Sequence, residues 1–307
     1  MRLTDLALNP ALIGTLALFL SAIWMVRDPE DKNRPLLVFA LVLNLFYGLL
    51  LSLFMRTESS LFPWKFDHVL FRMDAALGLQ ATTIARSLQV ARIPLWIAYQ
   101  AMIPMMICWF LTTRYRNQRG SVLIAYAAEL AVGPLMYALL PACGPIYAFG
   151  AKWLDPPSLV SPAPIRLSGM PNAFPSLHVA TALVLVSFAP SKLWRAIALA
   201  FLAVTCLATL STGEHYVIDL IPGLAFGSFA ASIGFGRRRR ALAFLGLVCC
   251  WSLAVRFAYL FLIAKPIAIK GCAVVTVILA ALEVFIDWGA RSAPVPVRAI
   301  ESEVLVP

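Results

Sequence analysis

Long uninterrupted apolar runs dominate this chain and restrict what it can fold into. A helix needs about 20 apolar residues to cross the hydrocarbon core of a bilayer. Only 13% of the 307 residues are charged and 61% are hydrophobic, whereas soluble domains carry about 25% charge. The sequence therefore predicts an all-α fold, a polytopic membrane helical bundle in one membrane domain over residues 1–307. We expect about nine spans, at 10–26, 36–55, 95–113, 121–141, 177–190, 193–211, 216–236, 241–263 and 271–288.

The net charge of +10 fits either nucleic-acid binding or membrane anchoring. Lys and Arg accumulate in the cytoplasmic loops of polytopic proteins. If the chain has nine spans, 14 Lys and Arg residues lie on one side of the membrane, including the run RRRR at 237–240. The other side carries ten, of which five are spread over 56–94. We therefore expect no nucleic-acid partner and a multi-pass protein of a bacterial inner membrane, with its N-terminus outside and its C-terminus cytoplasmic. The oligomeric state stays open.

Two segments interrupt the apolar runs. Residues 141–176 contain eight prolines and cannot form a spanning helix; by the charge count this loop lies outside. Residues 56–94 are mixed in polarity, which favours an amphipathic helix that lies at the membrane interface. Its apolar residues recur at helical spacing: Phe66, Leu70, Met73 and Leu77.

Two of the three histidines stand at predicted helix starts on the outer side. His178 lies in PNAFPSLHVATALVL, where Ser176 and the free N–H groups of a helix start can hold an anion. His215 lies in LSTGEHYVIDLIPG, four residues before Asp219 and on the same helical face. A carboxylate on one ring nitrogen strengthens the other as a nucleophile or base. A helix cap beside a chance histidine and a purely structural His–Asp pair are the alternatives, but both motifs at one surface favour a catalytic site.

The motif PSLH, followed 37 residues after its histidine by the His of HYVID, resembles the type 2 phosphatidic acid phosphatase superfamily. PACGPIY and DHVLFRMDAALG are similar to elements of the branch that contains inositol phosphorylceramide synthase. The resemblance covers roughly residues 60–236. It implies a six-helix catalytic core over about 95–236 with the site at its outer, extracytoplasmic end. The spans within 241–288 are then additions to that core.

The resemblance also implies a catalytic set of two histidines and one aspartate. By the family's motifs, His215 attacks phosphorus and forms a phosphohistidine, which Asp219 orients and stabilises. His178 protonates the departing alkoxide, and Ser176 helps to hold the phosphate. The implied activity is that of a lipid phosphatase or phosphotransferase with no metal and no cofactor. Its substrate is a lipid phosphoester, and a lipid hydroxyl is a further possible acceptor.

The chain departs from the broader phosphatase pattern where the phosphate should be neutralised. Leu177 stands where that family has Gly, and Ala208 and Thr209 stand where it has Ser-Arg. Its lysine-and-arginine motif before PSLH is not evident either. Phosphoryl transfer needs fixed positive charge near the equatorial oxygens. The nearest candidates on the same side are Lys152 and Arg166.

Two other function classes stay open. A transporter would place ionisable groups near the midplane, in broken helices of paired halves, whereas the polar groups here cluster at one surface. A catalytically inactive lipid-binding protein of the same fold would explain the missing cations, but it would not need all of His178, His215 and Asp219. The sequence does not choose among phosphatidate, a prenyl phosphate, a ceramide acceptor and an inositol lipid donor.

Overall fold

The computed structural model describes residues 53–112, 116–157 and 159–292, and these are mostly helical. The predicted span 10–26, and nearly all of 36–55, lie outside the described residues. Residues 53–61 are helical, and short 3-10 turns cover Gln89–Ala91 and Gly150–Lys152. The helices are α1 (Asp67–Leu77), α2 (Ala81–Ser87), α3 (Arg92–Gln100), α4 (Met102–Thr112), α5 (Arg116–Leu139), α6 (Pro145–Phe149), α7 (Leu177–Ser187), α8 (Lys192–Thr212), α9 (Val217–Gly234), α10 (Arg238–Ala264) and α11 (Pro266–Ser292). Strands β1 (Trp64–Lys65) and β2 (Ile165–Arg166) pair in antiparallel fashion.

Long apolar helices identify the chain as a membrane protein. Within the described residues, five are long and apolar enough to cross a bilayer: Ser121–Leu139, Lys192–Thr212, Val217–Gly234, Arg238–Ala264 and Pro266–Ile286. In place of the predicted straight span 95–113, the helical stretches Gln89–Gln100 and Met102–Phe110 meet at a bend of 48°. α7 covers only 11 residues of the predicted span 177–190. The described part thus holds five candidate spans, or six with the bent pair, and the total of nine stays a prediction.

Helix α9 is the central helix of the bundle. It is 72% buried inside the protein, against 28–44% for the other four candidate spans. Small residues on its surface allow α7 to approach closely, as is common where membrane helices pack. A Cβ on Gly223 would lie 2.8 Å from the carbonyl oxygen of Ser176, and one on Gly227 would lie 2.6 Å from that of Ala180. This contact holds the starts of α7 and α9 side by side.

Residues 56–94 form several short elements rather than the single amphipathic helix expected from the sequence. The apolar face of α1 is buried against protein: Leu70 and Met73 are fully buried in a cluster that contains Phe174 and Tyr216. The periodicity therefore marked a buried face, and the interfacial position of the segment stays a prediction. α1 consequently lies directly behind the loop that carries His215.

The bundle has two chemically different ends. α8 contains 21 residues, about 30 Å at 1.5 Å per residue, which matches the thickness of a hydrocarbon core. Its last residues lead directly to His215, and its first turn carries Lys192 and Arg195. α9 begins two residues after His215 and ends three residues before the basic run 237–240. We call these the histidine end and the basic end, and the length of α8 separates them by about the thickness of a hydrocarbon core.

Candidate active site

The starts of α7 and α9 bring the two histidine motifs together. The hydroxyl oxygen of Ser176 lies 3.3 Å from Nε2 of His215, and the ring centroids of His178 and His215 are 6.0 Å apart. Ser176 also caps α7, since its side chain accepts the N–H of Val179. Its own N–H donates to the carbonyl oxygen of Asp219 at 3.1 Å. One serine therefore links both helix starts to the His215 ring.

The His215 ring is held in one tautomer by a backbone carbonyl. Its Nδ1 lies 2.9 Å from the carbonyl oxygen of Ala173, which can only accept, so Nδ1 carries the proton of the neutral ring. Burial lowers the pKa of His215 to about 4, although nearby Glu214 acts in the opposite direction. The ring is therefore neutral at pH 7. Its Nε2 lone pair faces Ser176, whose hydroxyl donates to it.

Asp219 lies beside His215 but does not hold the ring in the way that the spacing suggested. Its Oδ2 is 3.6 Å from Nδ1 of His215, beyond hydrogen-bond distance. The same oxygen accepts the N–H of Tyr216 at 2.8 Å and completes a capping box at the start of α9. Ala173 therefore sets the tautomer. A carboxylate at this distance still favours a positive charge on the imidazole.

His178 is oriented by an aromatic residue that the sequence did not single out. Its half-buried ring stacks on Tyr99, with centroids 4.1 Å apart and an interplanar angle of 23°. Tyr99 lies near the end of α3, next to the 48° bend. From the sequence, the apolar run that contains Tyr99 predicted a membrane span and nothing more. Hydropathy does not indicate which side chain of a span contacts a histidine.

A polar group flanks His215 on its N-terminal side. Glu214 Oε1 accepts a hydrogen bond from the Tyr147 hydroxyl at 3.3 Å, and the side chain of Asn172 also donates to Glu214. Burial raises the pKa of Glu214. Burial likewise raises the pKa of Tyr147 to about 12, so the phenol stays protonated and donates. The site therefore offers hydrogen-bonding groups beside the candidate nucleophile.

Asp67, at the start of α1, holds the PACGPIY loop and the residue after His215. Its carboxylate accepts the N–H of Cys143 at 3.1 Å, the N–H of Gly144 at 2.7 Å and the Tyr216 hydroxyl at 3.2 Å. Asp67 is fully buried, and burial raises its pKa to about 6 against the opposing effect of these donors. The loop and the histidine turn are therefore tied to one carboxylate.

Asp74, two helical turns further along α1, holds the first residues of α9. It accepts the N–H of Val217 at 3.0 Å, that of Ile218 at 2.9 Å and that of Ala81 at 3.2 Å. A helix start leaves such N–H groups without partners of its own. Asp74 is fully buried, and burial raises its pKa well above the usual range. Two acids seven residues apart, on one face of a largely apolar helix, are the sequence signal for this pair.

Gly144 allows the PACGPIY loop to lie directly on the residues before His215. Its φ is +103°, and a Cβ there would meet the carbonyl oxygen of Glu214 at 2.3 Å. Next to it, the N–H of Ile146 donates to the carbonyl oxygen of Gly213 at 3.0 Å. A side chain at position 144 would push the histidine turn away from its place.

The two cations expected at the phosphate have other surroundings. Arg166 lies in β2 opposite Trp64, and its guanidinium is 5.8 Å from the centre of the Trp64 ring. It lines a surface cavity with Arg56. Lys152 is exposed at the end of the Gly150–Lys152 turn. No contact between described residues joins Arg166 or Lys152 to the histidines.

Comparison with known proteins gives one match. A family model described as the PAP2 superfamily matches residues 68–233, more than half of the chain. The matched stretch includes Asp74, both histidine motifs and nearly all of α9. No curated protein and no solved structure matches the chain. The family model does not distinguish branches, so the likeness to inositol phosphorylceramide synthase stays a prediction.

Proposed function

The chain belongs to the PAP2 superfamily, and on that premise we propose that it cleaves a lipid phosphoester through a phosphohistidine. Membership itself indicates a membrane phosphatase or phosphotransferase. The observation that carries the finer proposal is the neutral His215 ring, whose Nε2 lone pair lies 3.3 Å from Ser176 at the shared start of α7 and α9.

The first chemical step transfers the phosphoryl group to His215. Its Nε2 lone pair forms a bond to phosphorus while the bond from phosphorus to the lipid alkoxide breaks. His178, on the neighbouring helix start, gives a proton to that alkoxide. Burial and the nearby His215 lower the pKa of His178 to about 3 in the free protein, so His178 takes up this proton when the negatively charged phosphoester binds beside it. The phosphorylated ring becomes an imidazolium, and the carboxylate of Asp219 at 3.6 Å favours that charge.

The second step frees His215 and determines the reaction class. An incoming hydroxyl oxygen attacks phosphorus, its proton passes to His178, and the bond between phosphorus and Nε2 breaks. Water as the acceptor gives hydrolysis and inorganic phosphate, whereas a lipid hydroxyl gives transfer. Both outcomes use the same residues, so only the product separates them.

Phosphate binding rests on the start of α7 in this proposal. A helix start presents N–H groups and the positive end of the helix dipole to an anion, and Ser176 adds a hydroxyl after it turns away from Nε2. No described contact brings Arg166 or Lys152 to the histidines, so of the three residues expected at the phosphate only Ser176 lies at the site.

The activity is tested by product identity. Purified full-length protein is given labelled phosphatidate, a prenyl phosphate or an inositol phospholipid, each with and without diacylglycerol or ceramide. We expect free phosphate or a new labelled phospholipid, and neither product with His215→Ala. No product from any wild-type reaction, together with retained lipid binding, would favour the inactive lipid-binding alternative. Substrate movement into sealed vesicles without chemical change would favour a transporter.

We also propose that the histidine end faces the outside of the cell, because the basic end carries the run 237–240 and such runs stay cytoplasmic. Leu159, in the proline-rich loop, is 89% exposed. In a background without the exposed cysteines (Cys108, Cys250 and Cys272), Leu159→Cys should react with an impermeant thiol reagent in intact cells. The control Arg239→Cys, at the basic end, should react only after permeabilisation. The reverse pattern would invert the topology.

A further inference from the structure

A polar cluster next to His215 has hydrogen-bonding capacity that the proposed reaction does not use. Glu214 accepts hydrogen bonds from the Tyr147 hydroxyl at 3.3 Å and from the Asn172 side chain. A carboxylate has about four acceptor positions, so this one keeps free positions. The Oδ1 atom of Asn172 is buried and has no hydrogen-bond partner among the described residues. The cluster therefore has more acceptors than donors, and a donor group of a bound molecule would fill the difference.

Backbone contacts hold the cluster in place. The N–H groups of Asn172 and Ala173 both donate to the carbonyl oxygen of Ala142 at 3.0 Å, in the PACGPIY loop. Ala173 is the residue whose carbonyl sets the tautomer of the candidate nucleophile. The same loop continues into α6, which carries Tyr147. The loops that fix the nucleophile therefore also fix the cluster, as a preorganised binding site requires.

The cluster borders both histidines and is open to solvent. Glu214 directly precedes His215, and its charge acts on that ring. Glu214 and Tyr147 also lie within electrostatic range of Tyr99. Tyr99 in turn stacks on His178. Because Tyr147 is 46% exposed, a molecule that approaches the two rings from the histidine end meets this cluster.

We propose that Glu214, supported by Asn172 and Tyr147, binds a second hydroxyl group of the acceptor, next to the hydroxyl that attacks phosphorus. This assignment rests on the proposed function, since it concerns the acceptor of the same phosphohistidine. A carboxyl group disfavours a phosphate beside it, whereas a neutral O–H group gains a hydrogen bond there.

The second step of the reaction explains why a second hydroxyl is needed. The attacking oxygen forms the bond to phosphorus, its proton passes to His178, and the bond between phosphorus and Nε2 of His215 breaks. That proton is therefore not available to Glu214. Another O–H group of the acceptor stays intact and donates to Glu214 throughout. Water and vicinal diols carry such a group, and a simple alcohol does not.

The test measures the competition between two alcohols for one adduct. Purified full-length protein receives an aryl phosphate together with equal concentrations of ethylene glycol and 2-methoxyethanol, which differ in one O–H donor. Mass spectrometry quantifies the two phosphate esters. We expect the wild type to prefer the glycol about tenfold per hydroxyl group, as for one hydrogen bond to a charged group. Glu214→Gln and Asn172→Ala should each lower this preference to about threefold or less. Both esters come from the same adduct, so a general loss of activity leaves their ratio unchanged.

Water serves as a third acceptor in the same reaction. It also carries a second O–H group, so the ratio of inorganic phosphate to 2-methoxyethyl phosphate should fall in both variants. A fall confined to the glycol would identify a vicinal diol as the occupant, and a fall confined to water would identify water. If the wild type forms no alcohol ester, we expect breakdown of the trapped adduct to be about tenfold slower in Glu214→Gln.

Controls separate this subsite from general effects and from the proposed function. Asp155→Asn removes a carboxylate of the proline-rich loop whose side chain is 90% exposed, and it should leave every ratio unchanged. Wild-type ratios and adduct breakdown in both Glu214→Gln and Asn172→Ala would overturn the subsite, while a trapped adduct would still support the phosphohistidine. Product without any adduct in the wild type would contradict the proposed function itself. A preference for 2-aminoethanol over the glycol that disappears in Glu214→Gln would also overturn the subsite, because its occupant would then be a cation.

Discussion

We expect His215→Ala to abolish turnover and the trapped phosphohistidine with every substrate, whereas His178→Ala should abolish formation of the phosphohistidine only with lipid substrates. Without Nε2 of His215 there is no nucleophile at the start of α9, and we expect a loss of more than about 10⁴-fold, as for other removed nucleophiles. The measurement is acid-labile phosphate on the protein after a millisecond quench.

The substrate dependence follows from the leaving group. A departing lipid alkoxide is strongly basic and needs a proton, and general-acid help amounts to about 10²–10⁴-fold. An aryl phosphate leaves as a weakly basic phenolate and needs little help. His178→Ala should therefore still form the adduct with an aryl phosphate and should lose it with a lipid.

A matched histidine provides the control. His68 stacks on Phe149 at 5.6 Å and has no described contact with the catalytic pair, so His68→Ala should retain adduct formation with both substrates. An adduct that persists in His215→Ala and disappears in His178→Ala with an aryl phosphate would exchange the two roles. Product without any adduct in the wild type would indicate direct attack by water.

The meeting of the two histidines was predictable because both lie at helix starts, and counting spans places those starts on one side of the membrane. The details of the site were not. The carbonyl of Ala173 replaces Asp219 as the hydrogen-bond partner of Nδ1, and a loop backbone leaves no signal of its position in the sequence. The spacing of four residues indicated that His215 and Asp219 are neighbours. It did not indicate that the backbone N–H of Tyr216 donates to the carboxylate oxygen of Asp219.

Other differences have the same physical origin. Hydropathy averages over a window, so a 48° bend between two apolar helices reads as one straight span. The spacing of Leu70 and Met73 predicted the apolar face of α1. Periodicity does not indicate whether protein or lipid covers such a face. Positive residues near a site in sequence need not reach it, and Arg166 lies over Trp64 instead.

Asp74→Ala should lower both stability and catalysis, because this one carboxylate holds the start of the helix that follows His215. Its removal leaves the N–H groups of Val217, Ile218 and Ala81 without their described acceptor. Each buried donor left unpaired costs about 1–3 kcal/mol. The variant no longer has to bury a carboxylate, and this saving offsets part of the cost. We therefore expect the free energy of unfolding to fall by about 3 kcal/mol. Asp74→Asn keeps the shape of the side chain but turns an NH₂ group towards one of the N–H groups. Its stability and activity should therefore lie between those of the wild type and those of Asp74→Ala.

Catalysis should fall further than the loss of stability alone explains. Val217 is two residues from His215, and an unfolding measurement does not register a shift of an ångström in the position of Nε2. Displacement of that size costs about 10²-fold in rate. Adduct formation with an aryl phosphate is therefore measured well below the unfolding temperature of each variant, where the protein is fully folded. Asp155→Ala is the control: it removes an exposed carboxylate paired with Arg86 at 3.0 Å, and exposed pairs contribute little. A folded Asp74→Ala protein with wild-type adduct formation would show that α1 supports the fold without positioning the nucleophile.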